Sequence, residues 1–430
     1  MPRYHGALEL ALLQQLDETQ WLPPEQLAQQ QRRQLALLLK HAFETVPFYR
    51  ERWGEPPDAA RLDELPLLTR SDLNGRFHDL KSAAVPAEHG PISETRTSGS
   101  TGAPVRVLKT LLAGLLWNVF TLRDHAWHGR DLAAKLAIIR TGAVPDREAG
   151  WGFATAGLLE TGPNVAQGVE QDAAALLAWL ESERPGYLLT YPTLVAELAR
   201  LSLERGVRLP GLREVRTFAE QLDPELRALC REAWGAKLAD IYSAAELGYL
   251  ALQCPGHEHY HVQSEGVIVE ILDDEGRSCA TGQIGRVVVT VLHNFAMPLI
   301  RYDIGDFAEA GPACACGRGL PVLRRIHGRV RNMLVTADGR RYWPFLGGYQ
   351  AIREAPQLRQ AQFAQIAPDL IEARLVASGS LTAEQEESMR RRVLARLPPG
   401  MRMRIGYRDR IARGAGGKFE EFVCELPARP

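Results

Sequence analysis

Between residues 135 and 244 the sequence alternates short aliphatic runs with longer amphipathic ones: "KLAIIR", "AALLAWLESERP", "GYLLTY", "PTLVAELARLSLERG", "VRTFAE", "DPELRALCREAWG" and "KLADIYS". Each short run is the length of a strand, and each long one has helical spacing and ends in Gly or Pro. That alternation commits the segment to βαβ units and a mostly parallel sheet, because parallel neighbours need a crossover helix. Sheets of this kind bind ligands outside the carboxyl ends of their strands.

The flanks follow other rhythms. The head, "LAQQQRRQLALLLKHAFETVPFYRERWG", keeps helical periodicity until Val46-Pro47, where proline stops it. From about residue 260 the chain turns β-rich, "YHVQSEGVIVEILDDEGRSCATGQIGRVVVTVL", with "DDEG" expected as a hairpin turn. Residues 331–430 carry their own signals, clearest in the helix "TAEQEESMRRRVLARL" and the strand "MRMRIGYRD". The expected class is α/β: a large N-terminal domain (1–330) with mostly parallel sheets and a β-rich subdomain, then a small mobile α+β domain (331–430). The boundary is expected near Arg329 to Asn332.

Composition excludes several classes. The 430 residues are 45% apolar and carry 51 basic and 52 acidic side chains, so no global field favours nucleic acid or an anionic membrane. The head lacks a signal-peptide pattern, and the longest apolar run, "LLAGLLWNVFTL", is too short to span a bilayer. These features read as a cytoplasmic protein without nucleic-acid or membrane partners; a homodimer stays open. Six cysteines make no disulfide scaffold, so clustered ones point to metal or catalysis.

Four segments suggest chemistry. "TRTSGSTGAPVRVLKT" (95–110) gathers hydroxyls and glycines that can converge on a phosphate, but no lysine follows Gly102, so it is not a Walker loop. "YSAAELG" places Glu246 at the end of an expected strand, where a carboxylate suits Mg²⁺. "MPLIRYDIGDFAE" sets Asp303 and Asp306 around Gly305 in what reads as a tight turn, suited to a pair of ribose hydroxyls. "IARGAGGKFEEF" is a glycine-rich loop ending in Lys418. Each alone also has a bland reading: a solvated turn and a helix-terminal acid for the first two, on even terms, and an exposed turn acid and a flexible surface loop for the last two, where the bland reading is the default.

Taken together and in order, these segments resemble the adenylate-forming ligases, and within them the phenylacetate-CoA ligase-like branch, including its capsule-biosynthesis and coenzyme F390 synthetase-like members. "LLLKHAFETVPFYRERW" and "LPLLTRSDL" are similar to that branch's N-terminal signature, and "GRVRNML" to its hinge. The resemblance implies an ATP- and Mg²⁺-dependent enzyme that converts a carboxylic acid, expected to be aromatic, to an acyl-AMP. The acyl group then passes to coenzyme A. Transfer to an amine, a hydroxyl or a carrier-protein pantetheine is the alternative, and a degenerate nucleotide-binding scaffold a further one.

Carried onto this sequence, the resemblance assigns Ser98, Gly99, Ser100, Thr101 and Gly102 to the β- and γ-phosphates and Glu246 to Mg²⁺. Tyr242 would stack by the adenine, Asp306 bind the ribose, and Glu220 and Arg329 contact the nucleotide. Arg331 would be the pivot and Lys418 the adenylation lysine. Ala219, Ala244 and Ala245 leave volume for the acyl group, and Ala219 stands where the branch usually has glycine. A separate set, Cys254, Cys314, Cys316 and His261, with His257 as the alternative histidine, suits a structural zinc. His261 is preferred because "YHV" opens a strand that would hold its ring.

Overall fold

The computed structural model describes residues 6–97, 104–329, 333–344, 346, 355, 357–413 and 419–426. Ser98 to Gly102, Arg331 and Lys418 lie outside the described residues. Two compact units make up the chain: residues 1–136, 147–165 and 239–326 form one, and 137–146, 166–238 and 327–430 the other.

In the first unit, helix Pro24–Thr45 ends at Val46, which is extended (φ −109°, ψ 110°), and Pro47 opens the next helix, Pro47–Trp53. Proline costs nothing in a first turn, whose amides have no helical partner. Helix Arg70–Gly75 starts on a reciprocal cap between Thr69 and Asp72. The β-rich part is antiparallel: Val267–Leu272 pairs with Ile284–Val291, and that strand with Tyr302–Ala310. The "DDEG" turn is present, closed by Asp273 Oδ1 accepting from the Glu275 and Arg277 amides. It folds Leu272 back only onto Ser278, and the long ladder waits for the strand that begins at Ile284.

One buried arginine ties this unit together. Arg301 is held at φ +50°, a left-handed conformation uncommon outside glycine. Its guanidinium, 5% exposed, pairs with Glu270 at 2.9 Å and donates to the carbonyls of Asp63 at 2.6 Å and Leu65 at 2.5 Å. The backbone on either side binds Leu68: Leu68 N–H donates to Arg301 O and Asp303 N–H to Leu68 O, both at 2.9 Å. The "LPLLTRSDL" and "RYDIGD" motifs, far apart in sequence, are thus neighbours.

In the second unit the expected elements appear as strand Tyr187–Thr190, helix Pro192–Arg205, strand Glu214–Phe218 and helix Glu225–Trp234, and the two strands pair in parallel. A four-stranded sheet follows, in the order Arg402–Tyr407, Leu370–Ala377, Leu358–Ala367, Phe422–Cys424. Helix Ala383–Ala395, started by a capping box between Thr382 and Gln385, buries Met389 and Val393 in that sheet's core. Among the described residues no helix is long and apolar enough to cross a membrane.

Removing the cation of a buried ion pair leaves its partner charge uncompensated. Arg301→Met is therefore expected to lower unfolding free energy by roughly 3–5 kcal/mol, and Arg301→Met with Glu270→Gln by less. Urea unfolding followed by circular dichroism checks both.

Candidate active site

Tyr242 and Asp306 come together in the first unit. Tyr242 lies near the end of strand Lys237–Ala244, and its hydroxyl donates to Asp306 Oδ2 at 2.9 Å. The acidic pair does not sit in a tight turn, as its spacing suggested. It lies within strand Tyr302–Ala310, where Asp303 faces Val288 and Phe307 faces Arg286, so the register shifts between them. Gly305, at φ +81°, supplies the conformation that such a bulge needs. Asp303 is used locally, accepting from Gly305 N–H at 2.9 Å and pairing with Arg286 at 3.5 Å. The bulge therefore separates the two carboxylates' roles and turns Asp306 to Tyr242.

Glu246 is buried, 6% exposed, in the turn between strands Lys237–Ala244 and Gly248–Gln253. Beside it is a residue that sequence reasoning missed. Lys109, on strand Arg106–Thr110, donates to the Ala245 carbonyl at 2.6 Å. Burial pushes its pKa down to about 8, and the Glu246 carboxylate draws it partly back up. The signal was present: in "VRVLK" the period-2 alternation puts Lys109 on the face of Val105 and Val107, both fully buried. A search for a lysine directly after Gly102 looks in the wrong place. Ala244 is half-buried and Ala245 exposed.

The second unit holds the remaining described residues. Arg329 ends strand Val322–Arg329 and is half-buried. Ala219, half-buried, adopts φ +68°, which agrees with the expectation that glycine suits this position. Both oxygens of Glu220 are engaged by protein groups: Oε2 accepts from Thr193 N and Oγ1 at 3.0 and 2.8 Å, and Oε1 from Phe419 N at 2.7 Å.

The cysteine and histidine cluster is in the first unit. One donor atom each from Cys254, His259, His261 and Cys314 lies within 4.8 Å of the others. Cys316 Sγ is 3.4 Å from His261 Nε2, and the Cys254 and Cys314 sulfurs are 3.9 Å apart. Two thiolates on one tetrahedral zinc, each at about 2.3 Å, stand about 3.8 Å from each other. The donor set therefore fits that ion. His261 is held by strand Tyr260–Val262, as expected. The alternative histidine needs correction, since His259 and not His257 joins the group; the His257 ring stacks on it at 5.0 Å. Burial pushes the His261 pKa down to about 4, so its imidazole is neutral and has a lone pair to donate. His259 Nε2 is buried without a hydrogen-bond partner among the described residues, a lone donor of the kind a metal satisfies.

Comparison with known proteins gives a consistent result. Residues 58–296 match the family described as AMP-binding enzyme. The chain is 28% identical over 343 residues to a phenylacetate-coenzyme A ligase of Thermus thermophilus, covering 74% of each chain. A phenylacetate-coenzyme A ligase of Pseudomonas putida is 27% identical over 360 residues, covering 78% of this chain and 77% of that one. Among solved structures, 2-hydroxyisobutyryl-CoA ligase in its postadenylation state superposes with a TM-score of 0.75 at 20% identity, covering 95% of this chain and 92% of that one. The anthranilate CoA ligase AuaEII gives 0.58 at 18% identity, covering 76% and 65%.

The Lys109 contact yields a local test. Lys109→Met is expected to lower stability by roughly 1–2 kcal/mol, the size of a charge-assisted hydrogen bond on a partly shielded group. In a Glu246→Gln background the cost should shrink, because the neighbouring carboxylate no longer needs a counter-charge. A double-mutant cycle by urea unfolding measures that coupling.

Proposed function

The chain belongs to the AMP-binding enzyme family, and on that premise we propose that it activates a carboxylic acid with ATP, releasing pyrophosphate, and passes the acyl group from the acyl-AMP to coenzyme A. The observation that carries this reading is Asp306, set in a bulged strand and held by the Tyr242 hydroxyl at 2.9 Å. An acceptor fixed in this way is suited to the two hydroxyls of a ribose, with the Tyr242 ring beside the base. The named relatives act on phenylacetate, so an aromatic acid is the substrate class proposed here.

Joining a carboxylate to the α-phosphorus brings two anions together, and the protein's work is positioning and neutralising charge. Residues Ser98 to Gly102 would hold the outer phosphates, Arg329 would contact the nucleotide, and Lys418 would meet the carboxylate and α-phosphate. When bound at Glu246, Mg²⁺ would neutralise phosphate charge. Lys109 steadies the Ala245 carbonyl and so keeps the Glu246 turn in place. Ala219, Ala244 and Ala245 are proposed to border the acyl group. The domain boundary is proposed at 330/331, with Arg331 as pivot, so that Lys418 serves the first half-reaction only. A cytoplasmic location is proposed with this chemistry.

Cys254, Cys314, His261 and either Cys316 or His259 are proposed to bind a structural zinc. Such an ion would join the loop after strand Gly248–Gln253 to the segment before strand Val322–Arg329, whose own pairing here is short, Tyr260 with Leu323 and His261 with Val322.

Pyrophosphate release measured against a panel of carboxylic acids should identify an aromatic substrate; no release with any acid would favour a non-catalytic nucleotide-binding protein. Lys418→Ala is expected to slow acyl-AMP formation about a hundredfold or more, the scale for loss of a preorganised charge, while leaving thioester formation from supplied acyl-AMP near wild type. Equal loss in both half-reactions removes Lys418 from its assigned role. Dialysed protein should contain about one zinc per chain, with Cys314→Ser lowering metal content and melting temperature and His257→Ala leaving both unchanged, and with whichever of Cys316→Ser and His259→Ala lowers both marking the fourth ligand. Metal-free wild type of full stability would refute the zinc site.

A further inference from the structure

Glu220 is engaged in a way that ribose or phosphate recognition does not require. Its side chain is 3% exposed, and every group that holds it comes from one of two places in the second unit. The first is the start of helix Pro192–Arg205, where Thr193 donates its amide and its hydroxyl to Oε2 at 3.0 and 2.8 Å. The second is a pair of residues that bracket the glycine-rich segment 414–418. Phe419 N–H donates to Oε1 at 2.7 Å, and Arg413 Nη1 faces the same oxygen at 3.5 Å. Arg413 also donates to Thr193 Oγ1 at 3.2 Å, and its guanidinium lies 5.9 Å from the centre of the Phe419 ring. Four side chains and two backbone amides thus meet around this carboxylate.

The physics of that set makes it conditional. Burial pushes the Glu220 pKa up, while Arg413 and the Phe419 and Thr193 donors favour the carboxylate. With Arg413 and Phe419 in place, the charge has a cation and three hydrogen-bond donors. Without them a buried carboxylate would keep only Thr193 and the helix N-terminus, a poor substitute for a lost charge partner. The clamp thus favours one placement of residues 413 and 419.

We propose that Glu220 is a positioning residue for the adenylation step: its carboxylate clamps Arg413 and Phe419, on either side of the glycine-rich segment, and thereby sets where Lys418 is presented. The proposal rests on the reading of Lys418 given above. It replaces direct nucleotide contact as the role of Glu220, since both oxygens are already engaged. A displacement of about 1 Å in a reacting group can cost a hundredfold in rate. Glu220→Gln, which keeps an acceptor and loses the charge, should therefore slow acyl-AMP formation at saturating ATP by about ten- to a hundredfold. The KM for ATP should stay within about twofold, and transfer from supplied acyl-AMP to coenzyme A should be unaffected. Arg413→Met should reproduce the pattern, and the double variant should be no slower than the worse single one.

A second readout does not depend on turnover. Hydrogen exchange followed by mass spectrometry should show the Phe419 amide protected in the wild type and exchanging at least tenfold faster in Glu220→Gln and Arg413→Met. Unchanged Phe419 exchange in both variants overturns the clamp. A KM for ATP raised tenfold with turnover intact overturns it in favour of nucleotide binding, and equal loss of both half-reactions overturns it in favour of a purely structural role. If Lys418→Ala forms acyl-AMP normally, the Lys418 reading fails by itself, and Phe419 exchange still decides whether Glu220 holds the segment.

Discussion

The pairing of Arg301 with Glu270 governs the geometry of the first unit. A guanidinium has five donors in a rigid plane, and here they serve one carboxylate and two main-chain carbonyls from the segment Asp63 to Leu65. A buried cation is tolerated only with such complete pairing. Its satisfaction requires the left-handed turn at Arg301, and that turn in turn places the backbone of residues 301 and 303 against Leu68. The strand that carries Asp306 departs from this knot, so the placement of that carboxylate depends on this ion pair.

Four acidic residues singled out by their motifs end up in four different electrostatic situations. Asp303 closes the bulge with Gly305 and Arg286, Asp306 meets a tyrosine hydroxyl, Glu246 lies buried next to a lysine, and Glu220 is held by Thr193, Arg413 and Phe419. The chemical type is the same throughout, and the partners differ. Partners determine whether a carboxylate can receive a ligand or is already occupied, which is why composition of a motif says less about role than its surroundings do.

Much of the architecture was legible. The alternation between residues 135 and 244 named its strands and helices, because strand and helix periods leave distinct traces in where apolar residues fall. Proline at position 47 stopped a helix, Thr382 and Gln385 started another, and Ala219 adopted the backbone of the glycine it stands for. The motif order pointed to the AMP-binding family. Less legible was what the motifs touch. Lys109 stood inside a quoted motif unremarked, the Asp303 to Asp306 bulge read as a turn, and His259 was passed over for His257.

These misses share a cause. By itself the sequence determined the periodicities, the breaks and the inventory of reactive groups, since these depend on residues within one or two turns of each other. Only the tertiary structure decided which two of three closely spaced histidines face Cys254 and Cys314, which carboxylate oxygen meets which donor, and that Glu220 answers to Arg413 and Phe419, 193 and 199 positions further along the chain. Contacts across such separations depend on strand register and bulges, where a shift of a single residue turns a side chain to the opposite face. Local pattern does not encode that choice; the packing of the whole chain does.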